Sequence, residues 1–107
     1  MNIRYDKLVR DCIPEIIEAS GRNCAWRILE PDEYLRRLDS KLDEELAEYQ
    51  QSKSMEELAD LLEVMRAVIA ARGHTMEEVE AIRREKAAKR GGFEKRILLM
   101  EVQEGER

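Results

Sequence analysis

Five punctuation residues, Pro31, Ser54, Gly73, Thr75 and Gly91, divide residues 31–92 into three long amphipathic segments. Nothing else in the chain constrains its fold as much. Pro31 suits the first turn of a helix, and the apolar periodicity after it runs over residues 32–51. Ser54 with Glu57 has capping-box spacing and starts a second segment, which Gly73 ends. Thr75 with Glu78 repeats that start signal, and Gly91-Gly92 closes the third segment. The joins at 51–53 and 73–74 are short, so each long helix is expected to run antiparallel to its neighbour. A shorter helix is expected from Pro14 to about Ser20, with Gly21 as its stop. "NCAWRIL" (23–29) and "FEKRILLMEV" (93–102) read as short strands that could pair, and "QEGER" as a frayed tail. The expectation is a mainly α fold, an antiparallel helical bundle with a minor two-stranded β element, built as one domain of 107 residues.

Composition narrows the function classes. Apolar residues make up 43% and charged residues 40%, which is too apolar for disorder and too charged for a membrane span. The longest apolar run, near Val64–Ala71, is interrupted by Arg66, and the N-terminus lacks the apolar region of a signal peptide. A cytoplasmic protein without a membrane partner is expected. Cys12 and Cys24 are too few for a disulfide framework and too isolated for zinc, so both are expected as reduced thiols. A net charge of -5 argues against a nucleic-acid polymer as partner. A small anionic ligand stays open, because a bound divalent cation reverses the local sign.

The sharpest signal is a set of misplaced acids. On a wheel of about 100° per residue, Leu35, Leu38, Leu42, Leu46 and Tyr49 form the apolar stripe of the 32–51 helix. Glu45 falls inside that stripe and Glu48 at its edge, whereas Asp43 and Glu44 point away. On the 54–72 helix the apolar arc comprises Leu58, Leu61, Leu62, Val64, Met65, Val68 and Ile69. Glu57 falls in the gap between Val64 and Val68, and Asp60 near the edge beside Ala67 and Ala71. An unpaired ionised carboxylate in such a place costs several kcal/mol, on the order of a lost buried ion pair, so it needs a cation or stays protonated. Four carboxylates across a helix contact offer the hard oxygen ligands that Mg²⁺ or Mn²⁺ prefers. Solvated acids, with Glu57 merely closing the capping box, are the alternative.

These residues also resemble something known. "EELAE" (44–48) followed by "ELAD" (57–60) is similar to the E-E-x-x-E … E-x-x-D signature of the MazG-like all-α nucleoside triphosphate pyrophosphatases. "YDKLVRDCIPEII" (5–17) and "KRGGFEKRILL" (89–99) resemble a compact phosphoribosyl-ATP pyrophosphohydrolase-like branch of that superfamily. The resemblance implies a helical bundle that dimerises or assembles further. It also implies a metal site of Glu45, Glu48, Glu57 and Asp60. Two departures stand out: only eight residues separate Glu48 from Glu57, and Cys12 replaces a residue that is often basic in relatives.

The reaction implied is Mg²⁺-dependent cleavage of a nucleoside triphosphate between the α and β phosphorus atoms, giving monophosphate and pyrophosphate. Glu44 is the candidate to orient water next to Glu45. Lys7, Arg10, Lys86, Lys89 and Arg90 are candidates for holding the phosphates, although cations at a helix end, and Glu85 four residues before Lys89, have an ordinary structural explanation. House-cleaning of damaged nucleotides and a dedicated role on phosphoribosyl-ATP in histidine biosynthesis both stay open. The rival of another class is a non-catalytic helical dimer whose acids pair with Arg36, Arg37 or Lys41. Trp26 is expected as a packed strand residue, and Met55, Met65 and Met76 as core filling. The apolar arc of the 54–72 helix spans roughly 200°, more than one neighbour covers, so a homodimer centred on it is expected.

Overall fold

A computed structural model describes residues 2–105. Four helices follow one another, α1 Ile13–Ala19, α2 Pro31–Ser52, α3 Met55–Ala71 and α4 Met76–Arg90. The chain divides into two compact units, Met1–Met76 and Glu77–Arg107. The first holds α1 to α3; the second holds all but the first residue of α4.

Each boundary has a local cause. Pro31 occupies the first turn of α2, and Asp32 and Glu33 beside it complement the positive end of the helix. α2 stops where Lys53 turns left-handed at φ 58° and its amide donates to the Tyr49 carbonyl at 2.7 Å. The Ser54 hydroxyl then accepts from the Glu57 amide at 3.3 Å and starts α3. At the far end Gly73 adopts φ 85°, which lets its amide reach the Ala70 carbonyl and the His74 amide reach that of Ile69. α4 ends in the same way at Gly91, with Lys89 and Arg90 in its last turn.

The join between α2 and α3 is only Lys53-Ser54, so the two helices pack antiparallel as a hairpin. The Arg72 guanidinium donates to Asp39 at 3.1 Å across 33 residues of sequence, tying the end of α3 back to the first half of α2. Leu38, 2% exposed, is the buried apolar centre of this seam. A single seam covers one stripe of each helix, which leaves the rest of the wide apolar arc of α3 open. Leu62 is accordingly 56% exposed, and Met55 and Met65, expected as core, lie on the surface together with Met76. Among the described residues no helix is long and apolar enough to cross a membrane.

The expected two-stranded element is absent among the described residues. Residues 22–30 and 96–105 carry no regular secondary structure. Alternation gives β propensity, but a strand needs a hydrogen-bonded neighbour, and propensity alone does not supply one. Segment 22–30 is held instead by Arg27, which donates both to Glu33 Oε1 (3.2 Å) and to Glu33 Oε2 (3.0 Å) on α2. Trp26 is therefore exposed rather than packed. Cys12 and Cys24 are free thiols.

Candidate metal centre

The hairpin sets the last turns of α2 against the first turns of α3. Glu45 shares the inward stripe of Leu38, seven residues earlier, and is 7% exposed. Glu48 follows one turn on and is solvent-exposed, while Glu57 and Asp60 face them from α3, both half-buried. One carboxylate oxygen from each of Glu44, Glu45 and Glu48 lies within 4.8 Å of the others, and the same holds for Glu45, Glu57 and Asp60. Glu45 belongs to both groups. The acids that the wheels single out are thus gathered in one place, with Glu44 added.

Glu57 does not complete the capping box. The Ser54 amide, which the Glu57 carboxylate would have accepted from, donates to the Ser52 hydroxyl at 3.2 Å instead. The Glu57 amide serves the cap and its side chain is released into the cluster. There Glu57 Oε2 is buried without a hydrogen-bond partner, and so is Glu45 Oε2.

Cations meet part of this charge. Lys41 Nζ lies 3.5 Å from both Glu44 Oε1 and Glu45 Oε1. Lys7 Nζ donates to Glu44 Oε1 at 3.0 Å, and Arg10 Nη2 to Asp60 Oδ1 at 2.7 Å. Five carboxylates face three cations, and the acidities divide accordingly. The hydrogen bond from Lys7, with Lys41 nearby, holds Glu44 below the usual carboxylate value and raises Lys7 in return. Burial, reinforced by Glu48, pushes Glu45 up despite Lys41, and burial with the Glu48 carboxylate beside it pushes Glu57 up as well.

The donor set fits a hard divalent cation. Opposite ligands of an ion bound at 2.0–2.1 Å are separated by about 4.2 Å, a spacing the 4.8 Å groups reach with small side-chain adjustments. The two orphaned oxygens are the atoms such an ion would satisfy. Glu45, Glu48, Glu57 and Asp60 would hold it, with Glu44 at the border.

The candidate phosphate-binding residues divide between the two units. Lys7 and Arg10 reach the cluster as counterions. Lys86, Lys89 and Arg90 belong to the second unit, where they line a concavity of about 200 Å³ with Ile82 and Glu85. Lys89 pairs with Glu85 at 3.0 Å, as its spacing predicts. Of the cations that the non-catalytic dimer reading calls on, Lys41 joins the cluster, whereas Arg37 pairs with Glu33 at 3.5 Å and donates to the Asp6 carbonyl at 3.2 Å. Spacing signals Lys41, three and four residues before its partners. No local pattern signals the contact of Arg10 with a carboxylate 50 residues away.

Comparison with known proteins adds one partial relative. A protein of Mycolicibacterium smegmatis, described as uncharacterized, is 62% identical over 42 residues, which amount to 39% of this chain and 43% of the relative. The chain thus matches less than half the length of that relative. No family model matches the chain, and no solved structure matches it.

Proposed function

We propose that this chain is a divalent-cation-dependent nucleotide pyrophosphohydrolase of the MazG-like type, cleaving the bridge between the α and β phosphates of a nucleoside triphosphate. The observation that carries the reading is the pair of buried, unpartnered oxygens on Glu45 and Glu57, inside a cluster whose acids resemble that family's signature in their order. An ion-paired structural hairpin, the rival reading, accounts for Lys41, Lys7 and Arg10 but leaves those two oxygens unmet.

Glu45, Glu48, Glu57 and Asp60 hold Mg²⁺ (or Mn²⁺) in this scheme. When bound, the ion neutralises phosphate charge and acidifies water. Glu44, kept ionised by Lys7 and Lys41, presents an acceptor to a water proton at the border of the cluster. Lys7 and Arg10 carry positive charge to the same place, and Lys86, Lys89 and Arg90 are further phosphate-binding candidates. The exposed apolar surface of α3 supports assembly as a homodimer. Light scattering at micromolar concentration gives twice the chain mass on this reading, and a monomer contradicts the assembly.

A panel of nucleoside triphosphates, phosphoribosyl-ATP included, tests the activity through pyrophosphate release with and without Mg²⁺. Release requires Mg²⁺ and falls to background in Glu57→Gln and Asp60→Asn. A protein that binds the ion and releases pyrophosphate from none of them overturns the catalytic assignment.

A further inference from the structure

The segment preceding α1 crosses the acidic cluster and places two of its cations on two of the cluster's carboxylates. Asp6 adopts a left-handed φ of 46°, and its carbonyl accepts from Arg37 on α2 at 3.2 Å, which anchors the start of the segment. α1, entered through a turn in which the Ile13 amide donates to the Arg10 carbonyl at 3.1 Å, anchors its end. Between these anchors Lys7 takes Glu44 on α2 and Arg10 takes Asp60 on α3. Neither anchor uses a cluster carboxylate, so the middle can let go while its ends stay held. The Lys7 and Arg10 side chains are 53% and 58% exposed, leaving room to turn outward.

We propose that residues 6–11 form an internal counterion strap that shares Asp60 and Glu44 with the divalent cation, so that filling the ion site frees Arg10 and Lys7 to receive a phosphate-bearing ligand. The inference rests on the metal-site reading and adds a coupling to it. The Arg10 guanidinium, 2.7 Å from Asp60 Oδ1, and an ion on Asp60 compete for the charge of the same carboxylate. The strap therefore weakens ion binding. Once released, the same guanidinium offers a planar, bidentate donor pair suited to phosphate oxygens. Ion and anion consequently bind with positive coupling, which must appear equally from either side.

The test uses the full chain, Mn²⁺ alone, and inorganic pyrophosphate with Mg²⁺ as probes, each titrated calorimetrically. Arg10→Gln binds Mn²⁺ severalfold more tightly than wild type and binds pyrophosphate severalfold more weakly. Arg10→Lys falls between them. Arg72→Gln, which removes one positive charge from the pair with Asp39, leaves both affinities unchanged and separates a strap from a general charge effect. Hydrogen–deuterium exchange supplies a readout independent of affinity: Mn²⁺ speeds exchange at residues 6–11 in wild type and slows it around 44–60. Wild-type protein that binds no Mn²⁺ removes the metal-site reading and the strap together. Wild type that binds Mn²⁺, with Arg10→Gln unchanged or weaker for the ion, or with exchange at 6–11 unaltered, overturns the strap alone.

Discussion

The α2–α3 hairpin solves its electrostatics in two ways. Toward the open end, Asp39 meets Arg72 one to one at 3.1 Å, with both side chains 52% exposed. Toward the turn, Glu44, Glu45, Glu48, Glu57 and Asp60 converge on three cations, and two carboxylate oxygens are buried with no partner. An ion pair explains the first arrangement completely. It does not explain the second, because burial without compensation costs free energy that a merely structural seam avoids by using another Leu or a surface position. The contrast within one supersecondary unit is between charge met pair by pair and charge that the chain's own cations meet only in part.

The largest effect that can break this contrast is metal-induced stabilisation. Mn²⁺ at a hundred times its dissociation constant adds about 2.7 kcal/mol, which for a domain of this size raises the melting temperature on the order of 10 °C. Glu45→Gln and Glu57→Gln abolish the increase, whereas Asp39→Asn keeps it. If Asp39→Asn also abolishes it, the two ends of the hairpin are not different in kind.

A second prediction runs against intuition. In metal-free protein at neutral pH, Glu45→Gln stabilises, since it removes a buried charge that Lys41 meets only loosely at 3.5 Å. An increase on the order of 1 kcal/mol, about 4–8 °C, is expected in differential scanning calorimetry. A melting temperature that falls instead shows that the Lys41 contact already compensates the charge.

The pH dependence sharpens the same point. Glu45 and Glu57 are raised above the ordinary 4.5, so the folded state keeps their protons longer than the unfolded state. Their contribution to stability is fullest below 4.5 and is lost as pH rises through their folded values. Glu44, lowered by Lys7, contributes stability that is present above 4.5 and lost as pH falls through its own folded value. Metal-free wild type therefore loses stability above 4.5 where Glu45→Gln loses less, and saturating Mn²⁺ narrows the difference. Parallel pH curves for the two proteins contradict the assignment.

The smallest effect belongs to the open end. Arg72→Gln costs roughly 0–1 kcal/mol, with a cost that shrinks in high salt, as exposed pairs do. A larger, salt-insensitive loss measured by urea unfolding would make that end more than a surface clasp.

Much of the helical framework was legible in the sequence because it rests on local chemistry. Pro31, Ser54, Gly73 and Gly91 act within one turn of themselves, and the helices begin and end within a residue or two of where they point. Glu45 was legible too: a helical wheel places it beside Leu38 whatever lies across the seam. What could not be read depends on partners distant in sequence. "NCAWRIL" and "FEKRILLMEV" have strand composition but no strand, since pairing is not encoded in either segment alone. The wheel sends Glu44 to solvent, yet Lys7, 37 residues earlier, makes it part of the cluster. Glu57 had two readings with equal claim, a cap or a site, and the first depends on the Ser54 amide, which the Ser52 hydroxyl takes.

The most direct test is electron paramagnetic resonance of Mn²⁺ titrated into metal-free protein at pH 7.5. Wild type quenches the free-ion signal with saturable, stoichiometric binding, and Glu45→Gln and Glu57→Gln leave the signal at its free-ion intensity. Equal quenching by all three proteins, or none by wild type at millimolar ion, contradicts a metal centre built from these acids.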